Sequence, residues 1–345
     1  MMFGDLGASV LKVERPGTGD ETRGWGPPFD DEGRSAYYLG VNRNKRSLAA
    51  DLDREEDRRL LTGLIADADV VVDNFRPGTL ERHGIDPAAL LADHPRLVWC
   101  TITGFGAASA RPGYDFVVQA ESGWMSITGT PDGEPMKVGV ALVDVVAGKD
   151  AAAAILATLA GLARGRALSA KSRRLMITLA GSAAAALVNV AQNVLVAGGE
   201  AGRWGNAHPN LVPYQLFDAA DRPIVIAVGS DPQWLACARA LDLPALADDA
   251  RYRTNAGRVG DRAALVALLA ARLAERPAAD WLARLDAAGV PAGVVRAVSD
   301  VVRDMHGSAL FGMPPATPGT VRLPPPSLDE HGAAVRAVGW NAFDR

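Results

Sequence analysis

The sequence predicts an α/β protein whose larger part is a doubly wound parallel sheet. Short apolar runs alternate with helix-like stretches through residue 162, as in such sheets. The chain has 345 residues, too many for one ordinary domain. Its composition shifts near Gly198–Gly205. We therefore predict a large domain at 1–198, a smaller α/β domain at 205–285, and a C-terminal segment, 286–345, that returns to the large domain.

The elements of the large domain follow from apolar runs and the turns that end them. Pro16 and Gly17 close the first strand, and Gly104 closes a later one. The predicted strands are Val10–Arg15, Tyr37–Val41, Asp69–Asn74, Leu97–Thr103 and Leu175–Leu179. The predicted helices are Glu55–Ala66, Pro87–Asp93, Lys149–Leu162 and the apolar Ser182–Gly199.

The smaller domain shows two strands around a short turn, followed by helices. The predicted strands are Val212–Phe217, Pro223–Val228 and the proline-containing Gly289–Val295. The predicted helices are Asp231–Leu241, Arg262–Glu275 and Ala278–Ala288. We expect the helix at Ser182–Gly199 to be buried or at an interface, because Asn189, Gln192 and Asn193 interrupt it and disfavour a membrane span.

Charge and cysteine content limit the classes of partner. The net charge is −4, which argues against nucleic acid. Cys100 and Cys237 are the two cysteines, and they form neither a disulfide framework nor a metal-ligand pattern. The N-terminus lacks the basic start and apolar run of a signal peptide. We expect a cytoplasmic protein with no metal and no membrane or nucleic-acid partner.

Asp144 is the first candidate site residue. The apolar or glycine residues Val138–Val143 precede it, and a helix-like run follows. A carboxylate between a strand and a helix lies where ligands bind in open parallel sheets. There, burial raises its pKa and helix N–H groups favour its charged form. Position alone favours an N-cap over a carboxylate nucleophile, because aspartate is a preferred cap.

Two basic clusters are candidate anion sites. Arg43, Lys45 and Arg46 precede an apolar run, and they form either a solvated turn or an anion site. Arg76 and Arg82 lie near a strand-to-helix junction, where backbone N–H groups can hold a phosphate.

Seven motifs, in order along nearly the whole chain, resemble the class III CoA-transferases of the CaiB/BaiF family. The motifs are Lys12–Gly17, Asn42–Ser47, Asn74–Gly78, Gly104–Gly106, Arg111–Asp115, Gly205–Asn210 and Ala288–Gly293. The resemblance implies a Rossmann-like CoA domain, a smaller α/β domain, and two subunits interlocked as a homodimer. Family members begin with one more strand, so the first strand of the sheet is missing here. We hypothesise that the natural protein starts upstream of Met1.

The resemblance also assigns site residues. The family's nucleophilic aspartate falls on Asp144, which reverses the preference for an N-cap. Contacts with coenzyme A are implied at Arg15, Ala50, Asn74, Phe75 and Arg82. Contacts with the substrate are implied at Tyr114, Gly205 and Asn206.

The implied activity moves CoA from an acyl-CoA thioester to a carboxylic acid, through an aspartyl-acyl anhydride and an aspartyl-CoA thioester on Asp144. Two alternatives stand beside it. The same fold hosts 2-methylacyl-CoA racemases, which exchange an α-proton, but they carry a His-Asp pair where this chain has Tyr114-Asp115. Tyrosine, with a pKa of about 10, is a poor base near neutral pH. The second alternative is a truncated, non-catalytic relative.

Overall fold

The computed structural model describes residues 1–343, and contacts divide the chain into two compact units. The first unit comprises Met1–Trp124, Lys137–Gln192 and Ser299–Arg345. The second comprises Met125–Met136 and Asn193–Val298. This division rests on contacts within the chain, which do not show whether a segment folds independently. The predicted domain limits therefore stay a prediction.

The strands of the first unit are all parallel. They are β1 (Leu11–Glu14), β2 (Arg46–Ala49), β3 (Val70–Asp73), β4 (Val98–Thr103) and β5 (Arg174–Thr178). Within residues 1–343 they form two sheets, β1–β2 and β3–β4–β5, so β1 and β3 each keep one unpaired edge. The prediction of a mixed α/β fold with parallel pairing is confirmed, whereas a missing first strand stays a prediction.

The second unit contains an antiparallel sheet in the order β6–β7–β8. Its strands are β6 (Tyr214–Asp218), β7 (Pro223–Ala227) and β8 (Ala292–Val294). Trp234, Leu269 and Trp281 from three helices are fully buried in one core with Ile224 and Ile226 of β7. Alternation along β7 therefore gives the sheet an apolar face that the helices cover.

The helices are numbered in chain order. They are α1 (Met2–Asp5), α2 (Ala36–Asn42), α3 (Glu55–Ala66), α4 (Thr79–Arg82), α5 (Pro87–Asp93), α6 (Asp115–Glu121), α7 (Trp124–Ile127), α8 (Leu142–Ala163), α9 (Ala170–Arg173), α10 (Leu179–Ala185), α11 (Val188–Ala197), α12 (Asp231–Ala240), α13 (Pro244–Asp248), α14 (Asn255–Gly260), α15 (Arg262–Leu273), α16 (Ala278–Ala287), α17 (Val298–Asp304) and α18 (Gly332–Val338).

Three predicted elements are wrong: two follow here, and the third, a strand before Asp144, is described with that residue. The strand predicted at Tyr37–Val41 lies inside α2, because Ser35 caps that helix by accepting from the N–H groups of Tyr37 and Tyr38. The single helix predicted at Ser182–Gly199 is two helices, α10 and α11, bent by 68°. Val188 at the break has a φ of 38°, which an α-helix interior does not adopt.

The 22-residue helix α8 packs against β4 and β5 of the first unit. Ala147, Ala151 and Ile155 are buried along it, and the small alanine side chains let the helix approach the sheet closely. By length and composition α8 is apolar enough to cross a membrane, as is the bent pair α10–α11 taken together. The core helix of an α/β protein meets the same criterion, so the expectation of no membrane partner stays a prediction.

A buried polar cluster joins the C-terminal segment to the start of the first unit. Arg43 is 2% exposed, pairs with Asp5, and donates to the carbonyl of Phe311. The side-chain oxygen of Asn44 accepts from the N–H groups of Arg322 and Leu323. Arg43 is therefore part of a buried structural pair, and the two interpretations of its cluster, a solvated turn or an anion site, are wrong for this residue.

Candidate active site

Asp144 is the third residue of α8, in its first turn, and Ala141 occupies the N-cap position without a side-chain bond. The interpretation of Asp144 as an N-cap is therefore wrong. The strand expected before it is also wrong, because residues 134–141 belong to no strand. The carboxylate of Asp144 keeps an exposed surface and makes no hydrogen bond or ion pair within residues 1–343.

The cap of α8 comes from another helix. Oδ1 of Asp115, the first residue of α6, accepts from the N–H of Val143 at 2.8 Å and from that of Asp144 at 3.4 Å. Its Oδ2 accepts from Nε2 of Gln119 at 2.6 Å, and Oε1 of Gln119 accepts from the N–H of Val138 at 2.9 Å. These two side chains satisfy backbone donors that a strand or a local cap would otherwise satisfy.

A contact between two glycines brings α6 to this position. Gly104 follows β4 and Gly113 precedes α6, and a Cβ added to Gly113 would lie 2.3 Å from the Cα of Gly104. The N–H of Ala180 also donates to the carbonyl of Gly104 at 3.0 Å. The Gly104–Gly106 and Arg111–Asp115 motifs therefore meet backbone to backbone, at a spacing that only glycine permits.

The surroundings of Asp144 change its acidity. Partial burial, and after it the charge of Asp115, raises the pKa of Asp144 to about 6 from 3.8. Burial, followed by the charges of Asp144 and Asp115, raises the pKa of Tyr37, which lies in α2. The ring of Tyr37 packs edge-on against Trp25 with centroids 4.9 Å apart. Asp115, Asp144 and Tyr37 therefore form one electrostatically coupled group.

The residues predicted to contact coenzyme A lie after the carboxyl ends of parallel strands. Arg15 and Ala50 directly follow the paired strand ends Glu14 and Ala49, and Ala50 is buried whereas Arg15 is exposed. The N–H of Ala50 donates to the carbonyl of Glu14 at 2.9 Å, and this bond holds Ala50 beside the end of β1, where Arg15 follows.

The other predicted CoA contacts lie on the second parallel sheet. Asn74 and Phe75 are exposed just after β3, and Phe75 lines a cleft with Arg76. Arg82 is the exposed last residue of α4 and donates to the hydroxyl of Thr79. All of these residues lie at the ends of strands or in the short helix that follows, and their contact with CoA stays a prediction.

The predicted substrate contacts are divided between the two units. Tyr114 occupies the N-cap position of α6 in the first unit and is 61% exposed. Gly205 and Asn206 are exposed in the second unit. The N–H of Gly205 donates to the carbonyl of Gly129, and a φ of 58° at Gly205 suits glycine.

Comparison with known proteins identifies the family. Residues 1–313 match the family model described as CoA-transferase family III. The chain belongs to this family. It is 41% identical to the mouse succinyl-CoA:glutarate CoA-transferase, covering 95% of this chain and 76% of that protein. It is 37% identical to the succinate–glutarate CoA-transferase of Agrobacterium fabrum, covering 97% of this chain and 90% of that protein.

A solved structure agrees with this assignment. The crystal structure of a CaiB/BaiF family protein from Brucella suis superposes with a TM-score of 0.80 at 40% identity, covering 97% of this chain and 93% of that one. The predicted family and the predicted enzyme class are confirmed. The protein is a CoA-transferase, and its substrates include CoA thioesters.

The sequence alone did not reveal three residues of this CoA-transferase site. The sequence places Asp115 in a motif and at the aspartate of the racemase pair and places Tyr37 in a predicted strand, and no role is predicted for Gln119. The i, i+4 spacing of Asp115 and Gln119 was an available signal, because it places both side chains on one helix face. Within residues 1–343 no group of three or more His, Cys, Asp or Glu side chains could hold a metal ion. The expectation of no metal stays a prediction.

Proposed function

We propose that this CoA-transferase uses Asp144 as a covalent nucleophile to move CoA from an acyl-CoA thioester to a carboxylic acid. The observation that carries the proposal is the state of the Asp144 carboxylate. It lies in the first turn of a long helix, is partly desolvated, and is bound by no other side chain in residues 1–343. A carboxylate without a structural partner at the end of a parallel sheet is free to react.

The first half of the reaction loads the enzyme with CoA. A carboxylate oxygen of Asp144 attacks the thioester carbonyl carbon, and the C–S bond breaks to give a mixed anhydride and the CoA thiolate. The thiolate then attacks the aspartyl carbonyl of the anhydride. This step forms an aspartyl-CoA thioester and releases the donor as a free carboxylate.

The second half repeats these steps in reverse with the acceptor. The acceptor carboxylate attacks the aspartyl-CoA carbonyl, which releases the thiolate and forms a second anhydride. The thiolate attacks the acceptor's acyl carbon, so that the acceptor leaves as its CoA thioester and Asp144 is regenerated. The energy of the thioester is conserved only while water is excluded from these intermediates.

The substrates and the binding residues belong to the same proposal. The mouse and Agrobacterium relatives are named for succinyl or succinate and glutarate, so succinyl-CoA with glutarate is the first pair to assay. The predicted CoA contacts would hold the donor, and their exposed positions at strand ends support this role. Tyr114, Gly205 and Asn206 would contact the acyl group.

The finer structural expectations are also proposals. In the classic Rossmann order 3-2-1-4-5-6, one further strand would lie between β1 and β3, and the observed pairs β2–β1 and β3–β4–β5 support this arrangement. Val188, Leu195 and Val196 on α11 are each at least 69% exposed, which supports burial in an interlocked homodimer. The buried free cysteines Cys100 and Cys237 support a cytoplasmic location.

Intact mass spectrometry tests the role of Asp144. The protein is incubated with succinyl-CoA, with and without hydroxylamine, as wild type, as Asp144→Ala and as Asp150→Asn. Asp150 is the matched control, since it lies on the same helix and accepts a hydrogen bond from Ser182. We expect a hydroxylamine-sensitive adduct in the wild type and Asp150→Asn, and none in Asp144→Ala. An adduct of equal yield in Asp144→Ala would disprove the proposal.

A further inference from the structure

We propose that Asp115 is a positioning residue for CoA transfer: it holds the first turn of α8 by its backbone N–H groups and so fixes the direction of the Asp144 carboxylate. The inference rests on the proposed nucleophilic role of Asp144. Asp115 itself need not touch the substrate.

The N-terminus of α8 has no cap of its own. The first turn of any helix has N–H groups with no partner in the helix. Ala141 at the N-cap position has no side-chain acceptor, so α8 cannot satisfy them locally. Asp115 of α6 accepts from the N–H groups of Val143 and Asp144 itself. Any movement of the Asp115 carboxylate therefore moves the backbone that carries the nucleophile.

A second side chain, Gln119, holds the carboxylate of Asp115 in place. Gln119 is fully buried, and its Nε2 donates to the second carboxylate oxygen of Asp115 at 2.6 Å. Its other end accepts from the N–H of Val138, so the amide cannot turn without losing a bond. Asp115 and Gln119 thus form a clamp from α6 to both sides of the turn that enters α8. A carboxylate bonded through both oxygens has one defined rotamer.

Asp115 also acts on Asp144 through its charge. An asparagine could accept the same backbone bonds, but Asp115 adds a negative charge next to Asp144. After burial, this charge is the other cause that raises the pKa of Asp144 to about 6. A more basic carboxylate is a stronger nucleophile. At pH 7 a group with that pKa is still roughly nine-tenths ionised. Asp115 therefore increases the reactivity of Asp144 without protonating most of it.

The other ionisable groups around the clamp are few. Tyr37 of α2 interacts with both carboxylates. The elements that pack most extensively on α8 are α6, α10, β4 and β5. Glu121 of α6 pairs with Arg111, and Arg174 of β5 lies near Glu81. Cys100 of β4 is buried and α10 has no ionisable side chain. Asp115 is the charge that, after burial, raises the pKa of Asp144.

The test separates position from charge with three variants and one control. Asp115→Asn keeps the acceptor for the N–H groups but removes the charge, and its amide nitrogen cannot accept from Nε2 of Gln119, so that bond is lost as well. Asp115→Ala removes both the acceptor and the charge, and Gln119→Leu keeps the charge but loosens the carboxylate. The comparison of Asp115→Asn with Gln119→Leu therefore isolates the effect of the charge. Asp150→Asn makes the same charge change further along α8. For each, the single-turnover rate of adduct formation with succinyl-CoA is measured from pH 4.5 to 8 and corrected for the folded fraction.

Each variant has a different expected result. The wild-type rate falls below about pH 6, where Asp144 protonates. Asp115→Asn lowers this midpoint by about half a pH unit, and it lowers the plateau rate about as much as Gln119→Leu does, because both variants lose the bond between the two side chains. Asp115→Ala lowers the midpoint equally and the plateau by about tenfold or more. Gln119→Leu lowers the plateau and leaves the midpoint unchanged, and Asp150→Asn changes neither.

The outcomes that overturn the inference are distinct from those that overturn the proposed function. The positioning role of Asp115 is refuted if Asp115→Asn has the wild-type pH midpoint and Gln119→Leu has the wild-type plateau rate. The nucleophilic role of Asp144 is not affected by that result. An adduct in Asp144→Ala, or none in the wild type, refutes both. If Asp115→Ala does not fold, Asp115→Asn and Gln119→Leu still decide, because a purely structural role would not move the midpoint.

Discussion

Gly113→Ala should displace α6 and slow the reaction, because the glycine contact leaves no space for a methyl group. The added Cβ would lie 2.3 Å from the Cα of Gly104 and 3.3 Å from its C and N atoms. Ordinary contacts begin near 3.4 Å, so the two backbones must separate by about 1 Å. All three opposing atoms are backbone, and no flexible side chain can move aside instead.

This displacement should lower both the free energy of unfolding and the rate of adduct formation. Overpacking of this kind costs about 1–3 kcal/mol in the free energy of unfolding, which lowers the urea concentration at which the first unit unfolds. Gly113 is two residues before Asp115, so a shift of about 1 Å reaches the clamp on α8 and should lower the plateau rate of adduct formation about 100-fold. The pH midpoint should move as well, because the two carboxylates separate.

The matched control is Gly63→Ala. Gly63 is an exposed helical glycine in α3, and a Cβ there meets nothing within 4 Å. The same methyl group should therefore leave the rate unchanged and stabilise the helix by up to about 1 kcal/mol. Wild-type unfolding and a wild-type rate in Gly113→Ala would refute the reasoning from the glycine contact.

Further predictions concern pH and two buried arginines. In buffers that contain no carboxylate, at constant ionic strength, the wild-type adduct rate should fall as pH drops through about 6, since protonated Asp144 cannot attack; a rate independent of pH down to 4.5 would contradict this. Arg43→Ala leaves the buried charge of Asp5 unpaired, which should destabilise the first unit by about 3–5 kcal/mol in urea unfolding. Burial by itself would raise the pKa of Asp5, but the hydrogen bonds from Arg43 outweigh burial and the pKa is lowered. The difference in stability between the wild type and Arg43→Ala should therefore disappear in acid, where Asp5 is protonated. Arg258→Met removes a 1% exposed guanidinium that binds Asp231 and two carbonyls, and should increase proteolysis within the second unit; unchanged cleavage would argue against a stabilising role.

Much of the first unit's strand content followed from the sequence. The runs before Pro16 and Gly104 end at β1 and β4 within about one residue, because apolar β-branched residues followed by turn residues define buried strands. The helix at Tyr37 was mispredicted because its aromatic and β-branched residues favour a strand, whereas the cap at Ser35 decides the structure. Here a local hydrogen bond outweighed residue propensity.

The environment of Asp144 was the part that sequence could not provide. Its position near a helix start was predicted, but α8 begins earlier than the run at Lys149 suggested. The side chain that satisfies this helix start lies 29 residues before Asp144. No local pattern indicates such a partner, because it depends on how α6 packs after Gly104 and Gly113 meet.

The buried cluster of Asp5, Arg43 and Asn44 has a consequence for synthesis of the chain. The second unit is complete once Val298 has been made, but the first unit includes Ser299–Arg345. At about 5–20 residues per second, the C-terminal segment needs several more seconds on the ribosome. Until Arg322 and Leu323 reach Asn44, the N-terminal strands lack a covering that they have in the finished protein. The first unit therefore begins to be synthesised before the second unit but is completed after it. Until then, its parallel strands belong to an incompletely folded nascent chain that chaperones can recognise.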